Sequence, residues 1–314
     1  MCKYDAKMST LLTHIPAAEQ HGVEIIPNAM AKQLLLEGRK VTGVVYEQGK
    51  GSSVVRGDKF ILSCGSVQNP LVLWKSGLGP RDILGSRTKI ENRNVGRRTH
   101  VHAENYIYAL FPEPIKEGDR GWNAGSYFLH RMNEYGHDAL FVQDSGMGGI
   151  PPTPENAAVS EFAPEFGREH KAFMSAGRRS IGRVVLWTNP SSVEGYLDEN
   201  GRNVYDTGHS TIVSRLKEGI DISIEILRKM GAIRWTSPEE LLQSIRAPHT
   251  TSSCRAGTDP GESVVDAHFR SHDVENLLIC DASVLPRNPI GQVAMVVATV
   301  ATFAAQRIVR NHFS

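Results

Sequence analysis

The last fifth of the chain holds residue types that acid–base chemistry needs. His249 lies in the polar run Pro248-His249-Thr250-Thr251-Ser252-Ser253-Cys254-Arg255, just after a helical stretch. An imidazole titrates near neutral pH, so a histidine in such a loop can take and return a proton. A lone histidine is more often a satisfied core side chain, so its position alone does not assign it a role. Asn288 stands ahead of the final helical stretch. Asn is a common helix N-cap, and spacing alone does not join it to His249. Between the two, residues 274–280 (VENLLIC) end in an apolar strand, with Asp281-Ala282-Ser283 at its carboxyl end. Ligands of α/β sheets bind beyond the carboxyl ends of strands, often at the start of the next helix. This strand–turn–helix is therefore a site candidate.

Other chemistries have less support. His100 and His102 would face one side of a strand and could hold a metal, but no third ligand follows at a telling spacing. No G-x-S-x-G, Walker A or G-x-G-x-x-G sequence occurs. Residues 145–149 (SGMGG) read as a loop. The four cysteines are scattered, without zinc or redox spacing, and read as small buried side chains. Lys and Arg number 35 against 34 Asp and Glu, a net charge of +1. That balance offers no electrostatic reason for a nucleic-acid partner or an anionic membrane.

These residues need elements to position them. The length suggests about two domains. In the first third, residues 23–26, 33–36, 41–46 and 59–62 read as strands, after a helix over 11–20. The run Phe60-Ile61-Leu62 is continuous and predicts a strand buried on both faces of a parallel sheet. A helix is expected from Pro70 to Lys75. Strand-like pieces at 105–110, 127–130, 139–141 and 183–187 predict an antiparallel sheet, with a proline loop at 151–154. Helical spacing of Ile212, Leu216, Ile220, Ile224 and Leu227 predicts a long helix over 210–230, with a short one at 238–245. Residues 291–311 read as the final helix. Its apolar part, 293–305, is too short to span a membrane and reads as buried. The N-terminus has charges where a signal peptide needs an apolar centre, a pattern that favours the cytoplasm.

Three segments, in order, resemble the glucose–methanol–choline (GMC) family of FAD-dependent oxidoreductases. Residues 65–79 (GSVQNPLVLWKSGLG) resemble the family's second signature, with Asn69 where Ser or Thr is usual. HTTSSCRAG, residues 249–257, is similar to the family's H-P-x-G-T-x-R-M-G. There Thr250 replaces Pro, Ser252 replaces Gly, Ser253 replaces Thr and Ala256 replaces Met. Residues 263–289 are similar to the closing segment, with strand, D-x-S and N-P before the last helix. Residues 2–10 and the turn Asn94-Val95-Gly96-Arg97, with His102 after it, extend the likeness.

The resemblance implies a mixed α/β fold: an incomplete Rossmann-like FAD-binding domain (1–98 and 247–314) and an antiparallel-sheet substrate domain (99–246). It implies that His249 is the catalytic acid/base beside the flavin and that Asn288 is its partner on the substrate oxygen. Asp281, Ala282 and Ser283 would contact the ribityl–pyrophosphate region. Pro289, Ile290, Gly291 and Gln292 would begin a helix aimed at the flavin pyrimidine ring. Met30 would lie near adenine. The activity implied is oxidation of a small-molecule alcohol, with FAD as hydride acceptor. The family's glycine-rich ADP-binding segment is not found in this chain. The resemblance therefore implies a subunit whose partner chain supplies that segment, a truncated form, or an inactive fragment used for binding. Without it, residues 59–66 and 277–280 are expected to expose apolar sheet. Aromatics Trp122, Tyr127, Phe128 and Trp187 are expected to shape the substrate pocket. If the serine at 252 stands where the backbone needs positive φ, it strains that turn.

Overall fold

Successive side chains of a strand point to opposite faces, so a meander with one wet face needs only alternate residues apolar. A computed structural model of the chain describes residues 8–114, 127–144, 162–163, 166–175 and 180–312. Its first sheet is such a meander: β1 (Ala29–Glu37), β2 (Lys40–Gln48) and β3 (Gly51–Arg56), all antiparallel. Leu34 and Val41 are buried, while β3 is exposed throughout. The expected strand over 23–26 does not form. Val23, Ile25 and Ile26 are exposed, and Asn28 at φ 56° turns the chain into β1 instead. The helix before it, α1 (His14–Gln20), buries none of its residues. The 145–149 and 151–154 loops, Trp122 and the first residues of the 2–10 segment lie outside the described residues.

After β4 (Phe60–Leu62), α2 runs over Gly65–Lys75. It begins well before Pro70, which sits inside it and is buried. Proline favours the first helical turn because it lacks an N–H, and that preference set the expected start too late. Trp74 near the end of α2 is 5% exposed. Its ring fills the space against Gly79 and Gly96, where a Cβ on either would lie 2.4 Å from it. Both glycines also have positive φ, so neither position tolerates a side chain.

The middle of the chain forms the expected antiparallel sheet. Its strands are β5 (Ala103–Leu110), β6 (Tyr127–His130), β7 (Leu140–Asp144), β8 (Ile181–Thr188) and the short β9 (Arg234–Trp235). Their order is β9-β5-β8-β7-β6. Helix α3 (Ser210–Lys229) lays Ile212, Leu216, Ile220, Ile224 and Leu227 into the same core as Ile107, Leu140 and Leu186. Each such side chain contributes about 1.5–3 kcal/mol through burial, which fixes the helix on the sheet. His209 caps α3 by accepting from the Thr211 N–H, and Ser237 caps α4 (Pro238–Gln243) through the Glu240 N–H.

The chain then returns to the first core. β10 (Leu277–Ile279) pairs in parallel with β4, Leu277 opposite Phe60 and Ile279 opposite Leu62. The parallel pairing agrees with the continuous apolar run. Burial on both faces does not hold, because Ile61 is 51% exposed. The expected exposure of 277–280 does not hold either, since Leu277, Leu278 and Ile279 are buried under the 264–274 segment.

The last helix, α5 (Val293–His312), differs most from expectation. Among its residues with described side chains, only Val293, Ala304 and Ile308 are buried; Met295, Phe303 and Val309 are exposed. The apolar face continues past Gln306 and Arg307 to Ile308 and Val309. Over Val293–Asn311 the helix is long and apolar enough to cross a membrane by length and composition. A count that ended at Ala305 missed its last turn and a half.

Candidate active site

The site is built where β4 and β10 end side by side. Asp281 turns the chain after β10 into a short 3-10 turn, Ala282–Val284, and caps it by accepting from the Ser283 N–H at 2.8 Å. Its other carboxylate oxygen accepts from the Gly65 N–H at 2.7 Å and from the Asn69 amide at 2.8 Å. Asn69 also donates to the Ser283 hydroxyl and accepts from the Cys64 N–H. Asn69, where the family pattern differs, thus latches the start of α2 to the turn after β10. Ser283 is fully enclosed by these contacts. Its hydroxyl is engaged by the Asn69 amide.

The 249–257 segment is laid across this turn. The N–H groups of Ser252, Cys254 and Ala256 donate to the carbonyls of Ala282, Ser283 and Val284. Upstream, Thr251 exchanges hydrogen bonds with His100, and Arg246 with Glu104. The 94–97 turn joins through the Gly96 N–H to the Ser253 carbonyl, 2.7 Å. His249 and Ser252 both have positive φ, 60° and 70°. Serine strains this turn as expected, because a Cβ crowds the backbone there. Ser252→Gly is expected to raise stability by about 0.5–1 kcal/mol. Relief of the strained φ outweighs the greater freedom glycine gives the unfolded chain. Urea midpoints of the two proteins check this, and a lower midpoint for the variant would refute it.

The structure brings Asn288 to the His249 loop. Asn288 is 2% exposed; its amide donates to the His249 carbonyl at 3.1 Å, and its oxygen accepts from the Thr251 hydroxyl. It therefore holds the loop, with one N–H left over. The carbonyls that follow are held by the middle sheet. Asn189 donates to the Asn288 carbonyl, His102 bonds the Pro289 carbonyl at 2.9 Å, and the Trp187 indole donates to the Ile290 carbonyl at 2.9 Å. Gln292 donates to Gln143. The N–H groups of Ile290, Gly291 and Gln292, and those of Asp281 and Ala282, have no acceptor among the described residues. Pro289 has no N–H to offer. The expected helix start over 289–292 falls later, at Val293.

His249 keeps an open ring edge. Burial pulls its pKa below the usual histidine value, so the ring is neutral at pH 7. Its Nδ1 meets His102 Nδ1 at 3.1 Å, and the rings cross edge to face. His102 is fully buried, stacked on Trp187, which stacks in turn on Phe141. His100 points elsewhere, to Arg255 and Glu194. The two histidines therefore do not share a metal site, and no group of metal-ligating side chains occurs among the described residues. Met30, 61% exposed on β1 opposite Glu47, lies in the separate meander.

Burial lowers the His102 pKa from 6.5 to about 4. Its contribution to stability is thus fully present above pH 6.5 and is lost as pH falls through 4. The difference amounts to roughly 3 kcal/mol. Urea unfolding at pH 7 and pH 4 is expected to show a smaller acid loss for His102→Asn than for the parent chain. An equal loss in both would contradict it.

Chemical sense and comparison agree. The GMC oxidoreductase N-terminal family model matches residues 1–104, and the C-terminal model matches 209–301. The N-terminal match narrows the expectation of a purely C-terminal portion, since residues from position 1 on align with that model. Oxygen-dependent choline dehydrogenases of Pectobacterium carotovorum subsp. carotovorum and Staphylococcus saprophyticus subsp. saprophyticus are each 25% identical, over 94% and 93% of this chain. The chain spans 58% of the length of each. In fold it is similar to pyridoxine 4-oxidase from Mesorbium loti, with a TM-score of 0.67 and 22% identity over 90% of this chain and 58% of that one. It is also similar to a formate oxidase variant from Aspergillus oryzae, whose FAD modification was studied, with a TM-score of 0.68 and 18% identity over 92% of this chain and 61% of that one. On the two family models together, the chain belongs to the GMC oxidoreductase family of FAD-dependent enzymes.

Proposed function

We propose that this chain carries the flavin-facing part of an FAD-dependent alcohol oxidoreductase, with His249 as its acid–base group. One observation carries the reading. The His249 loop, with its open ring edge, is bonded both to the turn after β10 and to Asn288, and the N–H groups of 281–282 and 290–292 have no acceptor among the described residues. Those donors fit a flavin, whose reduced ring and phosphates are negatively charged. Asp281 and Ala282 offer theirs to the ribityl–pyrophosphate side, and Ile290, Gly291 and Gln292 to the pyrimidine edge. Met30 is open to the adenine end. When bound, FAD supplies the acceptor for the hydride of the carbinol carbon. His249 takes the hydroxyl proton at its free ring nitrogen. The spare N–H of Asn288 orients the substrate oxygen, while its other contacts hold the His249 loop. On this reading residues 1–98 and 247–314 serve the cofactor, and 99–246 face a small-molecule alcohol.

The ADP end needs a glycine-rich turn that this chain's sequence does not contain. We assign it to another stretch of polypeptide, on a partner chain or on a longer form of this one. The exposed Ile61 and the open face of α5 support an additional packing element there. The chain would be purified alone and after co-expression with the product of the reading frame immediately upstream of its gene. Flavin absorbance only in the second sample is the expected result, followed by bleaching with an alcohol. Absence of flavin from both would replace this reading with that of a binding or structural fragment.

A further inference from the structure

Resting on the acid–base reading of His249, we propose that His102 is the positioning residue that sets the His249 tautomer, leaving the free lone pair on Nε2. The deduction starts from an oxygen that can only accept. The Pro289 carbonyl lies 2.9 Å from His102 Nε2, so that nitrogen carries a proton. A neutral imidazole has one N–H, so His102 Nδ1 is then a bare acceptor. That nitrogen faces His249 Nδ1 at 3.1 Å. Two bare nitrogens would repel, so His249 Nδ1 donates. In a neutral ring this leaves the lone pair on Nε2, which meets no partner among the described residues.

The His102 ring is locked in place, and the His249 backbone is held beside it. The His102 ring lies 5.3 Å from Trp187 between centroids and 15° from parallel. Trp187 is fixed by Phe141 on its face and by the Ile290 carbonyl at its N–H. Flipping His102 would put carbon where both hydrogen bonds are made. On the other side, Asn288 holds the His249 carbonyl and Thr251 holds Asn288. His102 acts here only through another side chain: the second nitrogen of an imidazole dictates what the first can do.

The test reads the tautomer directly, in the full chain and without flavin. Histidine is labelled with ¹⁵N, and long-range ¹H–¹⁵N spectra are recorded at neutral pH, with His249→Gln to assign the ring. Nδ1 of His249 should show a protonated-type shift and Nε2 an unprotonated one. His102→Asn places an amide oxygen near the old Nδ1 and should keep that pattern; His102→Phe should lose it. In the flavin-loaded protein, His102→Phe should lower kcat about 100-fold with KM little changed, and His102→Asn should recover most of the loss. A proton on Nε2 of His249 in the parent chain, or an unchanged pattern in His102→Phe, would overturn the proposal. The expected tautomers without any alcohol oxidation would leave the positioning role standing and sink the functional reading instead.

Discussion

His249→Ala should slow alcohol-dependent reduction of the flavin-loaded protein about 100- to 10,000-fold, the range a positioned acid–base group contributes. The magnitude follows from the chemistry. A carbinol carbon releases hydride readily only as its hydroxyl proton departs. His249 is the ring with an open edge at this site, and burial holds its pKa below the usual value. A neutral base is therefore present at pH 7, and activity should persist below pH 6.5 before it falls as the ring takes a proton. Flavin content should not change, because the backbone groups assigned to the flavin belong to residues 281–282 and 290–292. Stopped-flow bleaching with saturating alcohol measures the loss. A loss under about tenfold would mean that another group moves the proton.

Asn69→Ala is expected to cost about 3 kcal/mol of stability, the upper end for a single polar group. Asn69 is fully buried and ties three partners together: the Cys64 N–H, the Asp281 carboxylate and the Ser283 hydroxyl. Its removal leaves a half-buried carboxylate oxygen with the Gly65 N–H alone and the Cys64 N–H short of its partner, and bonds to charged groups are the strong ones. Asn69→Ser keeps one donor and should fall between. Chemical denaturation gives the values, and a cost below 1 kcal/mol would show that water replaces the latch.

Much of the site was legible because its residues lie in short segments with their own chemistry. The 249–257 run, the D-x-S turn and Asn288 stand where the structure assembles them. Serine at 252 read as a strain, and φ 70° bears that out. The heptad-like stripe of α3 and the strands of the middle sheet were legible from their period. What stayed hidden depends on contacts across long stretches of chain. Trp187, Asn189 and Gln143 hold the 288–292 loop, yet nothing in the neighbourhoods of Asn189 and Gln143 marks them, and Trp187 stood out only as an aromatic of the middle region. For His102 the sequence offers a metal pair with His100, set aside for want of a third ligand, and a place after the family-like turn, and neither points to His249. The chain leaves regular strand pairing between the two, and each finds a different partner. β3 has no buried residue, so it carries no alternation to read. The open face of α5 is illegible for a related reason: composition tells that a face is apolar, and only packing tells whether anything covers it.

The pairing of β4 with β10 also governs how the molecule is made. The meander closes through neighbours in sequence, while in the middle sheet β5 waits for β8 and then β9, so both sheets can be complete before β10 is made. β4 is synthesised early and then waits, because its parallel partner is Leu277–Ile279. Through most of translation Phe60 and Leu62 have no strand beside them, and the Asp281 latch on Asn69 does not exist. The His249 loop lies on that latched turn, so it assembles last. Nascent chains released early would carry a finished middle sheet but an unseated His249 loop, with an unpaired apolar strand that invites chaperones.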